Sequence, residues 1–291
     1  MPETSAAALQ ELPDFVDLDF ARRLEMAEMI FPDCLEAIRN FSPSDPAEAE
    51  HVAGGIAFFG GVSYPANQMV GLGLYGEVSA GDLDRVEDFF RSRGVASTIV
   101  LSPLAHESLR TLLGERGYRI AEFNSVLVRR IHSEEPFALP AGMTIEKVTA
   151  ATLKPWMHAL SEGFAQDIVV LEGVFGGFAA LPGALPFLAR IEGEVAGGCG
   201  GRIIPEARIA ALFGTATLPA FRRRGVQTAL IAQRLHEAAR AGCEYAVVST
   251  HPGSGSQRNM ERRGFRLAYT KTVMARDWPE LAAPQEANHG N

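Results

Sequence analysis

The residues best suited to chemistry lie in one short basic stretch, Arg222-Arg223-Arg224-Gly225, which joins an apolar segment to an amphipathic helix. A helix that begins there exposes several backbone N–H groups, and three arginines stand beside them. Cations at a helix N-terminus are unfavourable unless an anion offsets them. The stretch therefore predicts a phosphate or pyrophosphate site, as for a nucleotide-type cofactor. A solvated cluster of surface charge is the alternative.

Apolar periodicity and turn residues predict the elements around this turn. The helix that follows it buries Leu230, Ile231 and Leu235 on one face and stops at Gly242. The other elements expected in this half are a strand at 144–148, a helix at 152–164, strands at 186–191, 195–204, 209–217 and 245–250, a helix at 256–263 and a strand at 266–274.

This order of elements resembles the GNAT superfamily of acyl-CoA-dependent N-acetyltransferases over residues 141–276, with Arg263-Gly264-Phe265 matching the end of the family's last helix. The family's turn motif is Gln/Arg-x-x-Gly-x-Gly/Ala, which Arg222 and Gly225 match, while Gln227 departs from it. The resemblance implies an α/β fold with a mixed sheet flanked by helices, and acetyl-CoA as co-substrate without a metal.

A Rossmann or P-loop site is disfavoured. We expect no strand to lead through Gly-x-Gly-x-x-Gly directly into a helix, and no Gly-Lys-Ser/Thr occurs.

The resemblance also assigns the parts of the co-substrate to positions. The end of the strand before the turn would hold the pantetheine and polarise the thioester carbonyl, and the turn would hold the pyrophosphate. The implied acetyl-CoA-binding residues are Ala216, Thr217, Leu218, Arg222, Arg223, Arg224, Gly225, Val226, Gln227, Thr228, Ser256 and Asn259.

Proton transfer has fewer clear candidates. Where the family often has a tyrosine that protonates the CoA sulfur, this chain has Met260. His251 follows the strand at 245–250 and could accept or donate a proton near neutral pH. Glu162 is the second catalytic candidate; it and Asp167 border a predicted loop at 163–166, where acids would suit a cationic amine. An ordinary loop histidine and solvated loop acids remain the alternatives, and His158 is expected to be a surface or core residue.

The stretch 173–183 combines several glycines with apolar residues. This composition is typical of a mobile lid over an apolar acceptor. A plain connecting loop packed on the core has the same composition, so both interpretations stay open.

The first half of the chain repeats the pattern of the second. Glu115-Arg116-Gly117-Tyr118 resembles the helix end at Gly264, and Glu77 and Asp82 lie where a phosphate turn would be. We therefore expect tandem GNAT-like domains of which the first does not bind CoA. It would instead shape the substrate side of the cleft, or serve a purely structural role. Two or three strands are expected at 51–76, a helix at 81–94, a strand at 97–102, a helix at 105–115 and a strand at 125–130. The expected domains are a degenerate one at 1–131, a linker at 132–140, an acetyltransferase domain at 141–276 and a disordered tail at 277–291.

Composition limits the partners. A net charge of −8 without a basic stripe argues against nucleic acid, and no apolar run is long enough for a membrane span. The start of the chain, residues 1–13, lacks the basic and apolar parts of a secretion signal. Cys34, Cys199 and Cys243 have no metal-ligand spacing, which favours a reducing, cytoplasmic setting.

The predicted function is transfer of an acetyl group from acetyl-CoA to a primary amine of a small molecule, amino acid or peptide in a ternary complex. Two other classes stay open, a non-catalytic CoA-binding regulator or sensor and a structural or interaction module. The sequence does not indicate the acceptor or the oligomeric state.

Overall fold

The structure is a computed structural model that describes residues 16–29, 32–41, 47–135, 137–164 and 168–279. Its helices are α1 (Leu18–Glu25), α2 (Pro32–Phe41), α3 (Ala80–Arg91), α4 (Glu107–Glu115), α5 (Leu153–Phe164), α6 (Ile168–Ala179), α7 (Val226–Arg240) and α8 (Gly255–Glu261). Its strands are β1 (Glu48–Val52), β2 (Gly55–Phe59), β3 (Gln68–Val70), β4 (Ser97–Leu101), β5 (Arg119–Arg130), β6 (Met143–Lys147), β7 (Phe187–Ile191), β8 (Glu194–Ile204), β9 (Ile209–Thr217), β10 (Tyr245–Thr250) and β11 (Arg266–Arg276).

The chain forms two compact units, each discontinuous in sequence. The first comprises the described residues of Met1–Glu28 together with Asn124–Thr270. The second comprises the described residues of Met29–Phe123 and of Lys271–Asn291. The predicted domain boundaries at residues 131, 141 and 276 stay a prediction. In the structure, the described residues before 29 belong to the same unit as residues 124–270, and the described residues after 270 belong to the same unit as residues 29–123.

The first unit is a mixed sheet with the strand order β5-β10-β9-β8-β7-β6. Among the described pairings of these six strands, β9/β10 is the parallel one, and α7 connects its two strands. Alternate residues of β7 point to opposite faces, as a strand requires. Phe187 and Ala189 pack in one core cluster with Leu230 of α7, while Leu188 packs with Trp156 of α5. Helices therefore cover both faces of this sheet.

The second unit repeats this plan. Strands β1, β2, β3 and β4 are neighbours in that order, and residues 272–276 of β11 pair antiparallel with β4. Again one pair, β3/β4, is parallel, and α3 connects it. The core packs Leu83 and Phe90 of α3 against Leu109 of α4 and Met69 of β3. The mixed α/β fold class is confirmed, and the shared order of elements supports an internal duplication.

Two sequence expectations differ from the structure. The stretch 173–183, interpreted as a lid or loop, lies largely in α6. Its glycines lower helix propensity, but Phe175 and Phe178 both contact the Phe213 ring, and this packing outweighs propensity. Trp278, assigned to a disordered tail, is 6% exposed and lies under the guanidinium of Arg276.

Sequence reasoning also missed α1 and α2. Asp17 caps α1 by accepting a hydrogen bond from the backbone N–H of Phe20, which is a recognisable helix start. The predicted loop at 163–166, Asp167, most of the tail and the segment 1–13 lie wholly or partly outside the described residues. No helix within the described ranges is long and apolar enough to cross a membrane.

Glu87 of α3 stabilises the second unit through two arginines. Its buried carboxylate accepts hydrogen bonds from Arg116 at 3.0 Å and from Arg276 of the last strand at 2.8 Å. We expect Glu87→Gln to lower the free energy of unfolding by about 1–3 kcal/mol, because charge-assisted hydrogen bonds are lost at a buried position. Chemical denaturation would measure this loss. The exposed Glu115→Gln is the control, and an equal effect of both variants would contradict the prediction.

Candidate functional site

The turn before α7 has a backbone built for an anion. Gly225 is the N-cap of α7 with φ +84°, and Arg223 also lies in the left-handed region with φ +65°. Turns in which left-handed residues alternate with others aim successive N–H groups into one concavity. No side chain caps α7, so the N–H groups of its first turn keep their hydrogen-bonding capacity. Gly225 has a conformation that other residues adopt only with strain.

The charge of the turn matches its backbone. Arg222, Arg223 and Arg224 are all exposed, and the Arg224 guanidinium lies 5.5 Å from the centroid of the Phe221 ring. Within the described ranges, no carboxylate forms a salt bridge with any of the three. Three cations next to a positive helix end repel one another until an anion binds.

Helix α8 and the residues after it hold the first turn of α7 through side-chain hydrogen bonds. Asn259 of α8 donates to Gln227 Oε1 at 2.6 Å, and Arg263 donates to Thr228 Oγ1 at 2.8 Å. The Gln227 side chain, which replaces the family's usual glycine or alanine, is thus held by α8. Ser256 is exposed on α8 and Val226 is buried beneath the turn. The structure therefore brings Gln227, Thr228 and Asn259 together.

The equivalent helix start of the second unit is closed by its own side chains. Ser79 Oγ accepts from the backbone N–H of Asp82, and the Asp82 carboxylate accepts from the backbone N–H of Ser79 at 3.0 Å. The Ser79 hydroxyl also donates to this carboxylate at 2.6 Å, and this hydrogen bond, together with that from the Ser79 N–H, lowers the pKa of Asp82. A carboxylate at this helix start takes the place that an anionic ligand would need.

A glycine spacing near this helix also needs explanation. Gly71-Leu72-Gly73-Leu74-Tyr75-Gly76 follows β3 and matches Gly-x-Gly-x-x-Gly, which the sequence reasoning overlooked. A side chain at Gly73 would meet the side chains of Ala105 and Leu109 at 3.3 Å, and α3 begins only at Ala80. Close protein packing accounts for Gly73, so the motif is not a dinucleotide turn.

Strands β9 and β10 separate towards the basic turn. They pair only from Tyr245/Ile209 to Val247/Ala211, although both strands continue. Beyond these positions the facing edges of the two strands have no strand partner among the described pairings. Ala216 and Thr217 end β9 past the separation, and Leu218 follows. At the end of β10, Thr250 Oγ1 is buried and has no hydrogen-bond partner within the described part of the chain.

A bulge in β9 accompanies the separation. Gly200 pairs with Phe213 and Gly198 with Ala216, so Gly214 and Thr215 together oppose Cys199. Gly214 has φ +58°, the conformation of the extra residue in a common bulge type. A bulge bends its strand and increases the twist, which directs residues 214–217 away from β10.

A buried arginine fixes this bulge. Arg234 of α7 is fully buried and donates to Gly200 O at 2.7 Å, Phe213 O at 3.3 Å and Thr215 Oγ1 at 2.8 Å. It also donates to Leu230 O of its own helix at 3.1 Å. No carboxylate pairs with it among the described residues, and burial lowers the pKa of its guanidinium. Burial likewise raises the pKa of the nearby Cys199 thiol.

Arg234 is the site residue that sequence reasoning missed. A signal was present, because Arg234 interrupts the apolar face formed by Leu230, Ile231 and Leu235. A charged residue on the buried stripe of a helix has to find buried hydrogen-bond acceptors.

The predicted catalytic residues lie in different surroundings. His251 is exposed directly after β10, and its carbonyl accepts from the N–H of Ser254. Glu162 lies on the solvent-facing side of α5, 3.7 Å from His158 Nε2, with 47% of its side chain exposed. Met260 is 2% exposed in the core with Phe265. The described residues include no group of three or more His, Cys, Asp or Glu that could hold a metal ion.

Comparisons with known proteins match this architecture. Residues 150–265 match the model of the acetyltransferase (GNAT) family. A GCN5-related N-acetyltransferase from Kribbella flavida shares 16% identity, with 90% of this chain and 97% of that chain covered and a TM-score of 0.64. A GCN5-related N-acetyltransferase from Sphaerobacter thermophilus also shares 16% identity, over 91% and 96% of the chains, with a TM-score of 0.56.

A tandem GNAT protein from the clavulanic acid biosynthesis pathway is similar as well, with 13% identity over 89% of this chain and 92% of that chain and a TM-score of 0.57. At these identities the structural likeness establishes the fold. No curated protein matches this sequence.

We expect Arg234→Met to lower the free energy of unfolding by about 2–4 kcal/mol, because three backbone carbonyls and Thr215 lose a charged donor, partly offset by relief of a buried charge. Arg240→Met is the control, since Arg240 lies on the same helix with 70% of its side chain exposed. Urea denaturation of both variants would test this. A loss at Arg234 no larger than that at Arg240 would contradict the anchoring role.

Proposed function

From the GNAT-family pattern that residues 150–265 carry, we propose that the first unit binds acetyl-CoA and transfers its acetyl group to a primary amine. The observation that carries this proposal is the uncapped, arginine-flanked start of α7 beside the separated ends of β9 and β10. An anion site and an adjoining gap between strand edges suit a molecule with a pyrophosphate at one end and an extended chain at the other.

The turn would bind the pyrophosphate. Backbone N–H groups of Gly225 and the first turn of α7 would donate to phosphate oxygens, and Arg222–Arg224 would neutralise their charge. A side chain built at Gly225 would lie 3.5 Å from Pro140 Cγ, so there is room for one. Glycine is needed at this position for its left-handed backbone and for close approach of the phosphate.

The separated strand edges would bind the pantetheine and the thioester. On the β8 side, Ala216 and Thr217 are paired and the Leu218 N–H donates to Ala196 O. The opposite edge of β9, which faces the separation from β10, can hydrogen-bond an amide-containing chain as a further strand would. Thr250 Oγ1, which is buried and has no hydrogen-bond partner among the described residues, would gain one there. A backbone N–H at this edge would stabilise the oxyanion that forms when an amine attacks the thioester carbonyl.

The chemistry asks little of the protein beyond positioning and proton transfer. The amine attacks the carbonyl carbon, the C–S bond breaks, and the thiolate needs a proton. Met260 cannot supply it, being a thioether in the core. We assign this proton transfer to His251, which lies exposed at the end of β10 where the strands separate.

One observation favours a second function. A buried Met260 at the position of the family's usual acid suits a unit that binds acetyl-CoA without turnover, as a regulator or sensor. Release of CoA in the presence of amines separates this function from the enzyme.

Gly225→Glu should weaken acetyl-CoA binding by about 100-fold or more, because it places a carboxylate where the pyrophosphate would bind; each tenfold corresponds to about 1.4 kcal/mol. Gly242→Glu is the matched control, since Gly242 also has a positive φ, +74°, at the other end of α7. Both variants place a glutamate, with its negative charge, at a positive φ. Calorimetric titration with acetyl-CoA would measure the dissociation constants, and an equal loss in both would refute this placement of the site.

Turnover is tested by CoA thiol release from acetyl-CoA with a panel of primary amines. The enzyme hypothesis predicts release that depends on the amine, and a fall in kcat of about 100-fold for His251→Gln with unchanged acetyl-CoA affinity. Tight acetyl-CoA binding without release for any amine would instead support the regulator.

A further inference from the structure

The N-terminal segment of the first unit crosses one face of β10. The rings of Phe20 in α1 and Tyr245 are in contact, with their centroids 4.9 Å apart. Arg23 donates to Ala207 O and to the Glu244 carboxylate. The 3₁₀ turn Met26–Glu28 follows α1, and Ser249 Oγ donates to Glu28 Oε1. The segment thus runs along β10 from its first residue to Ser249 near its end, where the Glu28 carboxylate lies.

Tyr269 secures this arrangement from the neighbouring side. Its hydroxyl donates to Glu25 Oε1 at 2.7 Å in a buried position. Burial raises the pKa of Tyr269, and the carboxylates of Glu25 and Glu28 raise it further. The hydroxyl therefore stays a donor, and Glu25 anchors the end of α1, directly before the 3₁₀ turn that carries Glu28.

Glu28 lies on the face of the sheet opposite α7. Ala246 and Val248 of β10 pack in the core cluster that contains Ile231 and Leu235 of α7. Strand residues alternate between faces, so Tyr245 and Ser249 point to the other face, where Phe20 and Glu28 meet them. The acetyl-CoA turn starts α7, and Glu28 approaches the separated strands from the other side.

Register places Glu28 at the separation itself. Tyr245 pairs with Ile209 and Val247 with Ala211, so Ser249 is level with Phe213, just past the last paired position. The 3₁₀ turn Met26–Glu28 contacts both β8 and β9. Phe213 is half-buried on this same face, where Phe175 and Phe178 of α6 contact its ring at centroid distances of 6.2 and 5.8 Å.

We propose that Glu28 is the catalytic carboxylate that binds the acceptor's ammonium group and removes its proton, and that the acceptor is a cationic primary amine with an apolar or aromatic body. A carboxylate on the β10 side and an aromatic cluster on the β9 side form a pair of groups that attracts an ammonium ion. This inference deepens the proposed function and rests on it.

The proton balance is simple. Glu28 takes one proton from R–NH₃⁺, and the free amine forms the C–N bond as the C–S bond breaks. The nitrogen gives up a second proton and the thiolate gains one, yielding the amide and the CoA thiol. The proton on Glu28 then leaves to solvent, so one proton is released per turnover. Glu162 is less suited to this role, because its carboxylate lies on the solvent side of α5 beside His158.

Glu28→Gln tests the assignment, since the amide keeps an acceptor for Ser249 but has no negative charge. We expect kcat/KM for cationic amines to fall by about 100-fold or more, with the acetyl-CoA dissociation constant within about threefold of the unaltered protein. Asp19→Asn is the control, because Asp19 is an exposed acid of the same segment with 84% of its side chain accessible; it should change neither quantity.

A second variant separates chemistry from support of the fold. In Glu28→Ala, formate added to the assay should restore part of the amine acetylation, because it can occupy the vacated space and accept the proton. The same formate should not stimulate the unaltered protein.

The remaining outcomes are distinct. Glu28→Gln with unchanged kcat/KM would overturn the inference and leave the proposed function standing. An equal loss of acetyl-CoA binding and of acetylation, without rescue by formate, would also overturn it, because Glu28 would then only support the fold. Failure of the unaltered protein to bind acetyl-CoA or to acetylate any amine would overturn both proposals.

Discussion

The site depends on the hydrogen bonds of the buried Arg234 guanidinium, which has no carboxylate partner within the described part of the chain. Desolvating a charge is costly, and Arg234 recovers the cost only by donating to carbonyls of β8, β9 and α7 and to the Thr215 hydroxyl. These acceptors are available because β9 carries a bulge at residues 214–215. The bulge and the arginine thus support each other, and they lie just past Val247/Ala211, the last position at which β9 and β10 pair with each other. Arg234 lies nine residues, or roughly 13 Å along the axis, from the start of α7 at Gly225, so one helix connects the separation of the strands to the proposed anion site.

The corresponding helices of the two units differ in whether side chains cap their first turn. Both connect a parallel pair of strands through a helix, α3 in one and α7 in the other. Ser79 and Asp82 cap α3 from within, whereas Gly225 leaves α7 uncapped beside three arginines. The same order of strand and helix therefore has a carboxylate at the start of α3 and arginines at the start of α7. Under the proposed function, only the first unit has a place for the pyrophosphate.

The separated strands also divide the proposed reaction between two faces. Under the proposed function, the turn before α7 would bind the co-substrate on one face. On the other, the 3₁₀ turn that ends in Glu28 and the aromatic residues of α6 border the same opening. The acceptor side thus combines residues far apart in sequence, Glu28 before the first strand and Phe213 in β9, held together by Ser249 and the register of β9 and β10. Such an arrangement needs both the N-terminal segment and the second half of the chain.

The sequence by itself determined the elements of the second half, the mixed α/β class and the basic turn, because local signals suffice for them: apolar periodicity in α7 and β10, and a glycine where the backbone turns left-handed. It did not determine α6, where contacts of Phe175 and Phe178 with Phe213 outweigh the low helix propensity of three glycines. It also could not show that Arg234 folds back onto a bulge, that Met260 is buried, or that Glu28 meets Ser249. Each of these depends on partners distant in the chain, and only the tertiary structure decides which buried acceptor a charged side chain reaches and which strand edges lose their partner.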